Sequence, residues 1–222
     1  MNWLGTIFDW DGVVVNSSSI HLTSWERLAE ELNFPLPSDH FERGFGKRNE
    51  TIIPEILKWT QSDELISRWG KRKEEIYREI AQSDGISIGE GAREFLTLLQ
   101  QKKIRSVVGS STERANIELA IQQHKLGDFF EGIIASEDVS IGKPNPEVFL
   151  KAANVLGLPP SECLVIEDSP HGIEAGQRGG MKTLALTTSH PKEVFSRLKP
   201  DFIFSSLKTI DLDEVNAAFT QP

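Results

Sequence analysis

A short apolar run that stops abruptly on two carboxylates constrains this chain more than anything else in it. Trp3-Leu4-Gly5-Thr6-Ile7-Phe8 reads as a buried strand, and Asp9-Trp10-Asp11-Gly12 follows at once. Asp-Gly is an ordinary turn signal, and Gly12 lets the chain leave in a direction other residues resist. Two acids one residue apart at a strand end repel each other unless a cation lies nearby. The pair therefore asks what else gathers at the same edge.

Downstream of Val15, Asn16-Ser17-Ser18-Ser19 is a polar stop able to cap a helix. Leu22, Trp25, Leu28, Ala29 and Leu32 then recur at helical spacing, which predicts an amphipathic helix over 19–32. Two prolines end it, at 35 and 37. Further helical patterns are expected near 38–44, 50–59 and 62–82, with a loop at 44–49. No strand pattern interrupts residues 17–83, so this segment reads as an all-helical insert. Gly85 to Gly91 is a glycine-rich return.

Beyond the return, strands and helices alternate. Strands are expected at 104–108, 132–136, 164–166, 183–186 and 202–204, with helices at 91–102, 113–124, 146–156 and 171–179 and a last helix at the C-terminus. Alternation of this kind implies parallel pairing with helices on both faces. The fold class is α/β: a doubly wound, Rossmann-like parallel sheet core with an inserted all-helical cap. The core takes 1–16 plus 86–222, and the cap 17–85.

In an open parallel sheet, ligands bind beyond the carboxyl ends of the strands. The second strand end gives Ser110-Ser111-Thr112-Glu113. Locally Ser110 and Glu113 suggest a capping box, and a helix N-terminus is also a phosphate site. The third leads to Gly142-Lys143-Pro144-Asn145-Pro146, where Asn145 as cap and Pro146 at the first helical position explain the turn but not the lysine. The fourth gives Glu167-Asp168-Ser169-Pro170, a second acidic pair ahead of a proline that opens a helix. Each has a bland local explanation; four at one sheet edge do not. Two acidic strand ends make a hard-oxygen Mg²⁺ site. The hydroxyls, helix N–H groups and lysine complement a phosphoryl group, and the metal with Lys143 would keep Asp9 ionised as a nucleophile.

These pieces resemble the haloacid dehalogenase superfamily of phosphotransferases, in its β-phosphoglucomutase-like branch with a helical cap. The matching stretches are Asp9-Trp10-Asp11-Gly12-Val13, Val107-Val108-Gly109-Ser110, Gly142-Lys143-Pro144 and Ile166-Glu167-Asp168-Ser169. The resemblance implies that Asp9 attacks phosphorus to form an aspartyl-phosphate. Asp11 would protonate the leaving oxygen and later deprotonate water. Ser110, with Ser111, and Lys143 would hold the phosphoryl group. Asp9, the Asp11 backbone carbonyl, Glu167 and Asp168 would serve Mg²⁺. A proton-bearing acid such as Asp11 suits an alkoxide leaving group and not a halide. In the cap, His21, Lys47, Arg48 and Lys73 are the candidate substrate contacts. Lys71 reads as a solvated helix face, as Lys73 would by pattern alone.

Two departures stand out. Asn16-Ser17 replaces the usual Asp followed by Ser or Thr, and the loop 46–51 differs from the mutase type that reads a bisphosphate. The expected function is therefore a Mg²⁺-dependent phosphatase acting on a small sugar or polyol phosphate, or phosphoglycolate. The alternatives are a phosphosugar mutase and a phosphate-binding or signalling module without turnover.

Composition bounds the rest. Across 222 residues the net charge is −9, which argues against non-specific nucleic-acid or anionic-membrane partners. No apolar stretch nears the ~18 residues of a membrane span, and no leader pattern opens the chain, so a cytoplasmic address is expected. Cys163, the sole cysteine, reads as a small buried hydrophobe. The glycines at 172, 176, 179 and 180 form no nucleotide fingerprint. Nothing in the sequence demands a dimer, and a mobile cap favours a monomer.

Overall fold

The structure is a computed structural model and describes residues 3–44 and 46–220. Phe45 of the expected 44–49 loop, and positions 1–2 and 221–222 of the expected core, lie outside the described residues.

Six strands form one sheet: β1 (Gly5–Phe8), β4 (Arg105–Gly109), β5 (Ile133–Ile134), β6 (Cys163–Glu167), β7 (Lys182–Leu186) and β8 (Phe202–Phe204), in the order β5-β4-β1-β6-β7-β8 and all parallel. Two short strands, β2 (Val15–Asn16) and β3 (Ser87–Ile88), pair antiparallel. They tie together the exit to the helical segment and the return from it, a pairing that two residues a side are too short to reveal by pattern. The chain runs from β1 outward to β5, then crosses back to β6 on the other side of β1. The crevice therefore opens at the ends of β1, β4 and β6.

Alternation along the strands builds two cores. Ile7, Val107 and Val165 face one way and pack with Phe149, Ala152 and Leu156 of α7 (Glu147–Leu156). Phe8, Val108 and Ile166 face the other, against Phe95 and Leu99 of α5 (Ala92–Gln101) and Ile117 of α6 (Arg114–His124). Both faces are covered, which is why these strands read as unbroken apolar runs. Cys163 is fully buried among them.

Between the two short strands lie α1 (Ser18–Leu32), α2 (His40–Gly44), α3 (Asn49–Thr51) and α4 (Asp63–Asp84). Their core is Trp25, Leu28, Ile53, Trp69, Ile76 and Ile80. The continuous helix expected at 50–59 is instead α3 followed by a wide π-type turn over Ile52–Leu57. Pro54 has no N–H to give and its ring crowds the preceding turn, so ordinary winding fails there. The remaining helices are α8 (Pro170–Arg178) and α9 (Leu212–Thr220). Among the described residues no helix is long and apolar enough to cross a membrane.

Candidate active site

Asp9 leaves β1 buried at 8% exposure, its backbone N–H donating to Ile166 O at 2.9 Å. The side chain of Lys143, 2% exposed, places Nζ 2.6 Å from Asp9 Oδ1, 2.7 Å from Glu167 Oε1 and 3.3 Å from Gly109 O. One lysine thus spans the ends of β1, β4 and β6, and it lies 4.7 Å over the Phe149 ring. Its peptide to Pro144 is cis. Asn145 Oδ1 accepts from Glu147 N, but Pro146 is the cap residue and the helix begins at Glu147, one position after the expected start.

Glu167 is fixed from its far side. Its Oε2 accepts from the N–H groups of Asp168 and Ser169 and from Ser169 Oγ. Ser169 Oγ in turn accepts from Gly172 N and caps α8, which Pro170 opens as expected. Asp168 receives the Ser189 hydroxyl and packs where any Gly12 side chain would stand, and Gly12 sits at φ 76°. Only glycine serves both that backbone angle and that approach.

Asp9, Glu167 and Asp168 bring carboxylate oxygens within 4.8 Å of one another. Burial pushes the Asp9 carboxyl up to about 7, Lys143 pulling it down and Glu167 and Asp11 pushing further. Burial likewise lifts Asp168, helped by Glu167 and Asp9. For Lys143 burial opposes the charge, but Asp9 and Glu167 outweigh it and hold the ammonium. Three crowded carboxylates with one lysine are short of positive charge, and oxygen-only donors are what a Mg²⁺ ion takes.

Asp11 belongs to a different set of contacts. Its Oδ1 accepts from the Ser17 hydroxyl and lies 3.3 Å from His21 Nε2; its Oδ2 accepts from the Thr112 hydroxyl. Burial works against its charge, yet His21 and the hydrogen bonds from His21, Ser17 and Thr112 hold it well below the usual carboxylate range. Ser17 does not cap α1 with its side chain, and the capping box expected of Ser110 and Glu113 does not form. The Ser17 hydroxyl is spent on Asp11, while Ser110 Oγ accepts from Thr112 N.

One pocket is lined by Asp9, Asp11, Ser110, Ser111, Lys143, Glu167 and Asp168 on the sheet side, and by His21, Lys47, Arg48 and Lys73 from the helical segment. Every candidate site residue read from the sequence therefore faces one cavity. Lys47 Nζ lies 3.3 Å from His171 Nε2, and Arg48 donates to Val139 O at 3.4 Å. Lys73 departs from its pattern: it is 2% exposed and not on a solvated face, because Glu74 and His21 supply its partners, whereas Lys71 is exposed. The sequence reading missed Ser17 and Thr112 as partners of Asp11. Thr112 had a visible signal, a second hydroxyl two residues past Ser110 at the same strand end.

A profile of the haloacid dehalogenase-like hydrolases matches residues 6–186, and the chain belongs to that family. The chain is 38% identical over 192 residues to chloroplastic 5-amino-6-(5-phospho-D-ribitylamino)uracil phosphatase of Arabidopsis thaliana, covering 85% of this chain but about half, 51%, of that protein. It is 27% identical over 194 residues to β-phosphoglucomutase of Bacillus subtilis, covering 83% of this chain and 84% of that one. Among solved structures, a haloacid dehalogenase hydrolase of family IA, variant 3, from Entamoeba histolytica superposes with a TM-score of 0.88 at 25% identity, over 98% of this chain and 100% of that one. The chain is thus a hydrolase of this superfamily with a β-phosphoglucomutase-like architecture.

Proposed function

We propose that this protein is a Mg²⁺-dependent phosphatase that hydrolyses a small phosphorylated metabolite through an aspartyl-phosphate on Asp9. The observation that carries the reading is Lys143 seated on Asp9 and Glu167 while Asp11 stands apart, held by two hydroxyls. A buried carboxylate next to a fixed cation suits a nucleophile toward a phosphoryl group. Asp9 forms a bond to phosphorus as the ester P–O bond breaks, and Asp11 delivers a proton to the leaving oxygen. The incoming dianionic phosphoryl raises the proton affinity of Asp11, which is otherwise held ionised. Water then attacks phosphorus, Asp11 takes its proton, and the acyl-phosphate bond breaks to free Asp9 and phosphate. Ser110, Ser111 and Lys143 hold the transferring group. Asp9, Asp168, the Asp11 backbone carbonyl and Glu167 would hold Mg²⁺, which supplies charge neutralisation for the phosphoryl oxygens.

Residues 17–85 act in this proposal as a cap over the 1–16 plus 86–222 core, bringing His21, Lys47, Arg48 and Lys73 to the substrate and excluding water. The pocket lining from the helical segment also includes the apolar Trp25, Phe41 and Ile52, together with Lys47 and Arg48. That mixture supports a polyol or sugar phosphate with a ring or apolar end, and the Arabidopsis relative is named for such a ribityl ester. We expect a monomeric enzyme, since a cap that must move is freer without a partner seated on it.

A panel of sugar, polyol and glycolate phosphates, including 5-amino-6-(5-phospho-D-ribitylamino)uracil, tests the reading. Phosphate release is expected with Mg²⁺ and not with EDTA, with phosphoglycolate ranked lowest because its two-carbon group leaves the apolar lining uncovered. Isomerisation of β-glucose 1-phosphate with little free phosphate, followed by NMR, would make the enzyme a mutase instead. No release from any ester would sink the phosphatase.

Metal binding has its own readout. Mg²⁺ at about 100 times its Kd stabilises the fold by about 2.7 kcal/mol, or roughly 5–10 °C in Tm for a chain of this size. In Asp168→Asn the metal-free Tm should hold or rise, because a buried like charge is gone, while the Mg²⁺ shift disappears. A full Mg²⁺ shift in that variant would remove Asp168 from the metal site.

A further inference from the structure

Along one side of the pocket a buried polar chain, with His21, Lys73, Glu74 and Asn49 in the lining, runs from the helical segment into the core. His21 Nδ1 lies 2.6 Å from Lys73 Nζ, and Lys73 donates to Glu74 Oε1 at 2.9 Å. Glu74 Oε1 also accepts from Asn49 Nδ2 at 2.8 Å, and its Oε2 accepts from Asn116 Nδ2 at 2.6 Å. Asn116 belongs to α6, on the sheet side, and its Oδ1 accepts from Arg78 at 2.9 Å. Lys73, Glu74 and Asn116 are at most 5% exposed. Both carboxylate oxygens of Glu74 are thus committed, one to each side of the cleft.

The donor inventory fixes the imidazole. An ammonium only donates, so His21 Nδ1 accepts and the ring hydrogen sits on Nε2, the atom 3.3 Å from Asp11 Oδ1. The Tyr77 ring lies 4.4 Å from that imidazole, and Trp25 and Tyr77 flank Lys73 Nζ at 5.4 and 5.6 Å. Flanked by these rings, Lys73 has one carboxylate partner among the described residues, Glu74. Burial opposes the Glu74 charge as well, but the Lys73 ammonium and the hydrogen bond from Asn49 hold that carboxyl below its ordinary value. A buried ion pair is no better for stability than well-packed apolar residues. This one aims a hydrogen at the acid/base group.

We propose that Glu74 is a positioning residue for Asp11: through Lys73 and His21 it presents a hydrogen-bond donor to Asp11, and through Asn116 it locks that donor against the core. The inference rests on the phosphatase reading for Asp11's role. It adds a residue outside the reacting shell that couples the seating of the cap to proton transfer.

Glu74→Gln is the test. Whichever way the amide turns, its NH₂ faces a donor, either Lys73 and Asn49 or Asn116. On the best ester of the panel, kcat should fall roughly 100-fold, as for a catalytic group displaced by about 1 Å, with KM little changed. Glu74→Asp keeps the charge but cannot span both sides, so it should recover part of the loss. In histidine-¹⁵N protein the His21 Nδ1 signal, assigned with His21→Asn, should move toward that of a free ring in Glu74→Gln. If that variant does not give one cooperative melt, Asn116→Ala decides, and a selective fall in kcat is again expected. A near wild-type kcat, a loss confined to KM, or an unmoved Nδ1 signal overturns the proposal. An inactive wild type would instead sink the phosphatase reading and leave the NMR arm to judge Glu74.

Discussion

Asp9→Asn should abolish turnover on every substrate, by roughly 10⁴-fold or more, the scale on which enzymes lose rate when the nucleophile goes. The replacement keeps size and shape, so Lys143 retains Glu167 and Gly109 and an amide oxygen where the carboxylate stood. A neutral amide oxygen neither attacks phosphorus competently nor draws a cation. Rapid-quench mass spectrometry should find a phosphoryl adduct on Asp9 in the wild type and none in the variant. The variant should bind the intact ester, which makes it the form for identifying the substrate. A variant that still turns over at a rate comparable with wild type would place the nucleophile elsewhere.

Asp9 was legible because chemistry and periodicity coincide there: an apolar run ends and acids begin. The same logic exposed the Glu167-Asp168 pair, since β6 is buried along its whole length, while Lys143 stood out as the one residue its turn left unexplained. What pattern cannot carry is contact between distant segments. Ser17 looked like a helix cap, and only the folded chain shows its hydroxyl turned to Asp11. Lys73 sits in Lys71-Arg72-Lys73, whose composition reads as solvated. Arg72 does reach across the surface to Glu31, but the 3.6-residue period turns Lys73 inward onto Glu74 and His21. Asn116 follows three residues after Glu113 in a helix that a sequence reader fills with bland cap chemistry, and its partner lies 42 positions away. The two-residue strands β2 and β3 are invisible for the same reason, since their pairing depends on closing a long loop. Local pattern gives the sheet and its acidic edge; the hydrogen-bond partners that tune the site depend on closure.

Asp11→Asn is expected to lower kcat on alkyl phosphates by roughly 10²–10⁴-fold, the usual contribution of a general acid–base group. The size of the loss should depend on the leaving group. A sugar or polyol alkoxide needs a proton as the P–O bond breaks, whereas p-nitrophenolate is stable without one. With p-nitrophenyl phosphate the first step should survive and the second, in which water must lose a proton to the base, should not. The aspartyl-phosphate would then accumulate, visible as a burst of nitrophenolate and as adduct on Asp9. One of the Ser17 and Thr112 hydroxyls can still donate to the side-chain amide oxygen of this variant, and the other can turn to accept from its NH₂, so geometry is largely kept and the loss reports proton transfer. Equal losses on alkyl and aryl esters, with no burst, would mean that Asp11 serves binding or the metal, and that the proton comes from another group, the candidate being the His21 imidazole, 3.3 Å from Asp11 Oδ1.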